Sequence, residues 1–171
     1  IAKHIVSAAK HIEATDASAE MIAEAKRDNC SAKLYFSVQD MFHLPYADQS
    51  FDVVIVSNAL HVVSQPEKAL LEIRRVLKDD GVLIAPTFTH GDNTPCGRAK
   101  AMCMKLAGFP LCGKWGRADY LDFLEKNGWH VRKSTVLKAS FPLTYAECEK
   151  EAESQEPQEH PAKSRSWHTG N

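Results

Sequence analysis

The sequence predicts an α/β fold of three layers, with a mainly parallel sheet and a terminal antiparallel strand. Three observations carry that prediction. Helical and strand-like patterns alternate from residue 1 to about residue 128, an order that needs a parallel sheet with crossover helices. The run "FDVVIVS" (51–57) is almost continuously apolar and β-branched, which suits a strand buried on both faces. Two strand-like runs then follow each other at residues 129–138 and 141–150 with no helix between them, so one of them runs antiparallel.

Each element has its own signal. "IAKHIVSAAKH" (1–11) places Ile1, Ile5 and Ala8 at helical spacing with no capping residue ahead of them, so the helix is expected to begin upstream. Residues 12–15 read as a short strand ending at an acid, Asp16. Ser18 is an N-cap for a helix to about Asp28, with Met21, Ile22 and Ala25 on its apolar side. "KLYFSVQD" (33–40) is a second strand, also ending in an acid, Asp40. Pro45 punctuates the loop 41–50, and the strand 51–57 follows. Pro66 suits the first turn of a helix that runs to about Lys78, with Gly81 as its stop. "VLIAPTF" (82–88) is a strand, and "RADYLDFLEKNG" (117–128) a helix stopped by Gly128. The domain is expected to span 1–148. The polar residues 149–171, with two prolines and many charges, read as a disordered tail.

Composition narrows the function. The chain has 171 residues, 44% hydrophobic and 25% charged, enough for one domain with a sizeable core. A net charge of −1 gives no basic footprint for nucleic acid. No apolar run reaches the roughly 20 residues of a membrane span, and no signal-peptide pattern opens the chain. Five cysteines at irregular spacing do not form a disulfide framework, which points to a reducing, cytoplasmic setting.

An acid at the junction of strand and helix has two readings. It suits the positive end of the helix macrodipole. It also suits a ribose, because two carboxylate oxygens match two neighbouring hydroxyl donors. The neighbouring motifs favour the second reading. "IEATDASAEMIAEAKR" (12–27), "FSVQDMFHLPYADQSFDVVIVSNALHVV" (36–63) and "ALLEIRRVLKDDGVLIAP" (69–86) resemble, in this order and spacing, class I S-adenosylmethionine-dependent methyltransferases of the methyltransferase-11 type. The resemblance runs from residue 1 to about 148. It implies a Rossmann-like sheet and transfer of a methyl group from S-adenosyl-L-methionine to a small-molecule acceptor by direct displacement, with S-adenosyl-L-homocysteine as product.

The resemblance also implies roles. Asp16 would bind the ribose hydroxyls, with Ala17 and Met21 beside ribose and adenine. Asp40 would accept from the adenine amino group, with Met41 beside the ring. Ser57, Asn58 and Ala59 would line the methionine half of the cofactor and the acceptor pocket. The family's first strand and glycine-rich loop are expected before residue 1, which would make this chain a fragment not expected to bind the cofactor tightly by itself. No residue stands out as a catalytic base. His61 is a weak candidate, since imidazole titrates near neutrality, and a substrate-lining role suits it better. Cys96, Cys103 and Cys112 with His90 match no closed zinc pattern, so no metal is expected. Residues 101–116 are a candidate substrate lid. Two alternatives remain in this reading: a truncated gene product without catalysis, and a nicotinamide-dependent oxidoreductase, which also carries an acid after its second strand. The acceptor's identity and the oligomeric state stay open.

Overall fold

The computed structural model describes residues 1–27, 29, 31–89, 115–137 and 142–152. The chain opens with a single turn, α1 (Ala2–Ile5), continued as a 3-10 turn over Val6–Ala8. The expected helix over 1–11 is therefore short, and it buries none of its own residues.

Strand β1 (Ile12–Asp16) pairs in parallel with β2 (Leu34–Val38), with Asp16 opposite Val38. Between them lies α2 (Ala19–Lys26). Ser18 caps it as predicted, its hydroxyl accepting from Met21 N at 3.2 Å. The helix turns Ile22 inward but leaves Met21 58% exposed, so Met21 is not part of the core.

The remaining strands form a second sheet. β3 (Phe51–Ile55) is parallel to β4 (Leu77–Ile84), and β7 (Leu143–Lys150) is antiparallel to β4, to β5 (Thr87–Phe88) and to β6 (Trp129–Leu137). β5 continues the line of β4 along β7 after a break at Ala85 and Pro86, where proline cannot donate to a ladder. The crossover helix α3 (Pro66–Val76) begins at its proline, as predicted, and buries Ala69, Leu70, Ile73 and Val76. α4 (Arg117–Lys126) buries Tyr120 and Leu124. Both helices join one core cluster with Leu83, Trp129, Ala146 and Cys148.

Three expectations change. Gly81 does not stop α3. The helix ends at Val76 and Gly81 lies inside β4, where a Cβ would come within 2.7 Å of Leu77 Cδ1. Its role is to permit close packing, a need that looks the same in sequence as a helix stop. Gly128, by contrast, has φ +79° and ends α4 as expected. β3 is not buried on both faces: Asp52 is exposed and Val53 is 47% exposed. The physical reason is that β3 pairs with β4 alone among the described strands, so it is an edge strand. Finally, β7 runs through Glu149 and Lys150, past the expected domain end at 148, and Lys150 Nζ pairs with Asp79 at 2.9 Å. Residues 153–171 of the expected tail lie outside the described residues.

Candidate cofactor and acceptor site

Parallel pairing brings the two predicted acids to one end of β1 and β2. Asp16 closes β1, and Asp40 follows β2 by two residues. The ladder extends past the strand ends, with Gln39 N donating to Asp16 O at 3.0 Å. Each acid is oriented by its own turn. Asp16 Oδ1 accepts from Ser18 N at 2.9 Å, and Asp40 Oδ1 accepts from Phe42 N at 2.9 Å. These are Asx turns, which hold a short carboxylate against its own backbone. Among the described residues, Asp16 Oδ2 has no protein donor, and Asp40 Oδ2 lies 3.7 Å from His43 Nδ1, beyond hydrogen-bond distance. Both side chains face solvent with one oxygen fixed and the other open to a ligand donor. Ala17 and Met21 are exposed beside Asp16.

The second group sits at the C-terminal ends of β3 and β4. The ladder continues beyond β3, with Val56 N donating to Ile84 O at 2.9 Å and Asn58 N to Pro86 O at 2.8 Å. Ser57 is half-buried, and Ala59 packs on the core. Asn58 takes a left-handed conformation, φ +53°, which asparagine tolerates better than most residues. Its Oδ1 accepts from Phe88 N at 3.1 Å. The Asn58 carboxamide oxygen thus staples β5. Met41 and Phe42 pack against the core cluster that also holds Leu60 and supports Ala59. Met41 is half-buried there, serving packing first.

Sequence reasoning missed what fastens that loop. Arg75 on α3 donates to Leu44 O (3.0 Å), Tyr46 O (2.8 Å) and Asp48 Oδ1 (2.7 Å), while Glu72 Oε1 accepts from Leu44 N at 2.8 Å and from Arg75 at 2.7 Å. The Arg75 guanidinium holds the Glu72 carboxyl below its usual range. The sequence signal was present as an acid and an arginine three apart on one helix, but nothing in it names the carbonyls they reach. It missed Thr87 as well, a hydroxyl within an apolar strand that lies 2.9 Å from His61 Nδ1.

A cavity of about 670 Å³ lies at the other end of the strands, among Asp48, Arg74, Arg75, Asp79 and Lys150. Its cations are spent on protein partners: Arg75 as above, Arg74 on Gly128 O and Glu151 O, Lys150 on Asp79. Among the described residues no group of histidines, cysteines and acids could hold a metal ion, and Cys148 is a buried thiol whose pKa burial pushes up to about 12. His90, Cys96, Cys103, Cys112 and residues 101–114 of the candidate lid lie outside the described residues. No helix among the described residues is long and apolar enough to cross a membrane.

Open α/β sheets hold ligands outside the C-terminal ends of their parallel strands, which is where Asp16 and Asp40 stand. A family model described as a methyltransferase domain matches residues 1–85, and that part of the chain is similar to S-adenosylmethionine-dependent methyltransferases. A demethylmenaquinone methyltransferase of Renibacterium salmoninarum is 39% identical over 79 residues, covering 46% of this chain and 32% of that one. A norajmaline N-methyltransferase of Rauvolfia serpentina is 28% identical over 109 residues, covering 58% of this chain and 36% of its own. The matched part spans about a third of the length of these relatives. Among solved structures, a methyltransferase-like protein of Bacillus halodurans superposes with a TM-score of 0.74 at 14% identity, over 88% of this chain and 87% of that one. At that identity the likeness establishes the Rossmann-like fold.

Proposed function

We propose that this chain binds S-adenosyl-L-methionine at the ends of β1, β2 and β3 and takes part in methyl transfer to a small-molecule acceptor. The observation that carries the reading is the pair Asp16 and Asp40, each held by its own turn at the same edge of a parallel strand pair. Asp16 would hold the ribose hydroxyls and Asp40 the adenine amino group, with Ala17, Met21 and Met41 beside them. Ser57, Asn58 and Ala59 would line the methionine half. The cofactor supplies an electrophilic methyl group on a sulfonium. The chain's own part is to fix the acceptor in line with it, since positioning supplies much of the rate in a direct displacement. Relatives named for demethylmenaquinone and norajmaline support a small-molecule acceptor. The reading includes a further strand with a glycine-rich loop. The open edges left by β1, paired only with β2, and β3, paired only with β4 among the described strands, support it.

The test is calorimetric titration of S-adenosyl-L-homocysteine into the full chain. The expected result is modest binding, with a dissociation constant of roughly 10–100 μM, about −5.5 to −7 kcal/mol. Asp16→Ala should weaken it by roughly tenfold to a hundredfold, the worth of hydrogen bonds to a charged group. A folded chain that gives no heat would overturn the reading.

A further inference from the structure

Asn58 follows β3 in a left-handed conformation, φ +53°, a backbone state that glycine adopts at lower cost. The two ends of its side chain have different fates. A backbone N–H can only donate, so the group that meets Phe88 N at 3.1 Å is the oxygen of the carboxamide. That contact fixes which end of the amide is which, an assignment that rests on the hydrogen bonds around it. The oxygen is turned to β5, and the Nδ2 amino group is turned away from that bond. Among the described residues Nδ2 has no hydrogen-bond partner. It is not sealed in the core either. Asn58 is half-buried, and among the described residues the buried side-chain nitrogen or oxygen left without a partner is Trp129 Nε1. Nδ2 therefore meets solvent with both N–H groups unspent. Its direction is held by the staple to Phe88 N and by the backbone, where Asn58 N donates to Pro86 O at 2.8 Å. A donor already held in place costs little further ordering when a ligand arrives.

We infer that Asn58 Nδ2 is a binding donor for a ligand oxygen that accepts hydrogen bonds without donating them: a carboxylate, carbonyl or phenolate. An amide nitrogen carries two N–H donors and accepts nothing, so an amine or ammonium group of a ligand gains no bond from it. The carboxamide oxygen, which could receive such a group, already receives Phe88 N. The inference rests on the methyltransferase reading for the ligand's position. Asn58 stands past the end of β3, where that reading puts the methionine half of the cofactor and the acceptor. Two oxygens of the required kind belong to that reading: the carboxylate of the cofactor's amino-acid part, and a carbonyl or ionised oxygen of the acceptor. Asn58 moves no proton in either case. It holds the oxygen and so selects the ligand that carries one.

The test compares the full chain with Asn58→Asp and Asn58→Gly. Aspartate keeps an oxygen for Phe88 N and tolerates the left-handed backbone, while it puts an anionic oxygen where the donor stood. Glycine keeps the backbone and removes the side chain. Circular dichroism and thermal unfolding show that each variant is folded. Calorimetry compares S-adenosyl-L-homocysteine with 5′-methylthioadenosine, which has the adenosine and the thioether but no carboxylate. Spectrophotometric titration follows 4-nitrophenolate at a pH where the phenol is ionised. With the cofactor's carboxylate as partner, Asn58→Asp should weaken S-adenosyl-L-homocysteine by roughly tenfold to a hundredfold and 5′-methylthioadenosine by less than about twofold, the range for a hydrogen bond to a charged group. With the acceptor's oxygen as partner, the same loss should fall on 4-nitrophenolate alone. Asn58→Gly should show a smaller loss on the same ligand, because it removes the donor without adding a like charge. Either pattern supports the inference and names the source of the oxygen. The inference is overturned if neither oxygen ligand binds the wild type, if both bind the folded variants as tightly as the wild type, or if 5′-methylthioadenosine is weakened as much as S-adenosyl-L-homocysteine. A wild-type chain that binds neither adenosine compound strikes the cofactor reading, and loss of 4-nitrophenolate in Asn58→Asp would then leave the donor role of Asn58 standing.

Discussion

The two sheets of this molecule are unequally built. Every member of the buried core cluster lies between Val56 and Cys148, on β4, β6, β7, the helices α3 and α4, and the segments that follow β3 and β4. The β1–β2 pair and α2 bury only Ile22 and Leu34 among their hydrophobic residues. A two-stranded unit with one short helix has little stability of its own. The acids assigned to the cofactor therefore stand on the weaker region, and His61 and Thr87 on the stronger one. Local stability differs within a fold in this way, and ligand-binding parts are often drawn from its lower end.

The largest effects should separate the regions. Trp129→Ala removes a side chain that is 0% exposed, and the expected loss is about 3–5 kcal/mol, read as a fall in the main unfolding transition. Ile22→Ala should cost about 2–4 kcal/mol by the same rule. Its effect should appear as faster hydrogen exchange confined to β1, α2 and β2, with the main transition unmoved. If both variants lower one shared transition, the two regions fold as a single unit and the comparison fails.

The link between the regions is the next point to break. Glu72 and Arg75 fasten the loop that joins β2 to β3. Glu72→Ala should cost roughly 2 kcal/mol, the range for hydrogen bonds to a charged group. Exchange should accelerate over residues 42–48, and affinity for S-adenosyl-L-homocysteine should fall with it, because Met41 and Asp40 ride on that loop. Unchanged exchange there would mean that packing of Phe42 and Met41 holds the loop unaided.

Much of this was legible from residues alone. Period, caps and prolines placed the helices and strands, and the resemblance to the methyltransferases singled out Asp16, Asp40 and 57–59. What escaped was whatever depends on a distant partner. Gly81 reads as a helix stop because the close approach of Leu77 is invisible in the string. The burial of β3 was overestimated because β-branched content reports what a strand could bury, not which neighbour is present. The staple from Asn58 to Phe88, thirty residues away, is likewise invisible in the string.

Acid gives a finer cut at the same link. Arg75 holds the Glu72 carboxyl below its ordinary value of 4.5. An acid whose folded pKa is depressed stabilises the fold above its unfolded pKa, and that contribution is lost as pH falls through the folded value. Stability of the latched loop should therefore be full above pH 4.5 and decline below it. Hydrogen exchange of residues 42–48 should show that decline, and Glu72→Gln should flatten it while leaving the protein less stable at neutral pH.

The smallest expected effect distinguishes a cap from a ligand contact on the same turn. Ser18 has three hydrogen bonds at the start of α2. Its hydroxyl accepts from Met21 N and donates to Glu20 Oε2, and its backbone N–H donates to Asp16 Oδ1. Ser18→Ala removes the two hydroxyl bonds and keeps the third. Loss of an N-cap costs about 1 kcal/mol, so α2 should exchange about fivefold faster. Asp16 stays oriented, because the donor that holds it is main chain, and S-adenosyl-L-homocysteine affinity should change by less than about twofold, well under the loss expected for Asp16→Ala. A cofactor loss in Ser18→Ala as large as that of Asp16→Ala would mean that the site depends on the order of α2 as a whole, and that the weaker region supplies a rigid platform after all.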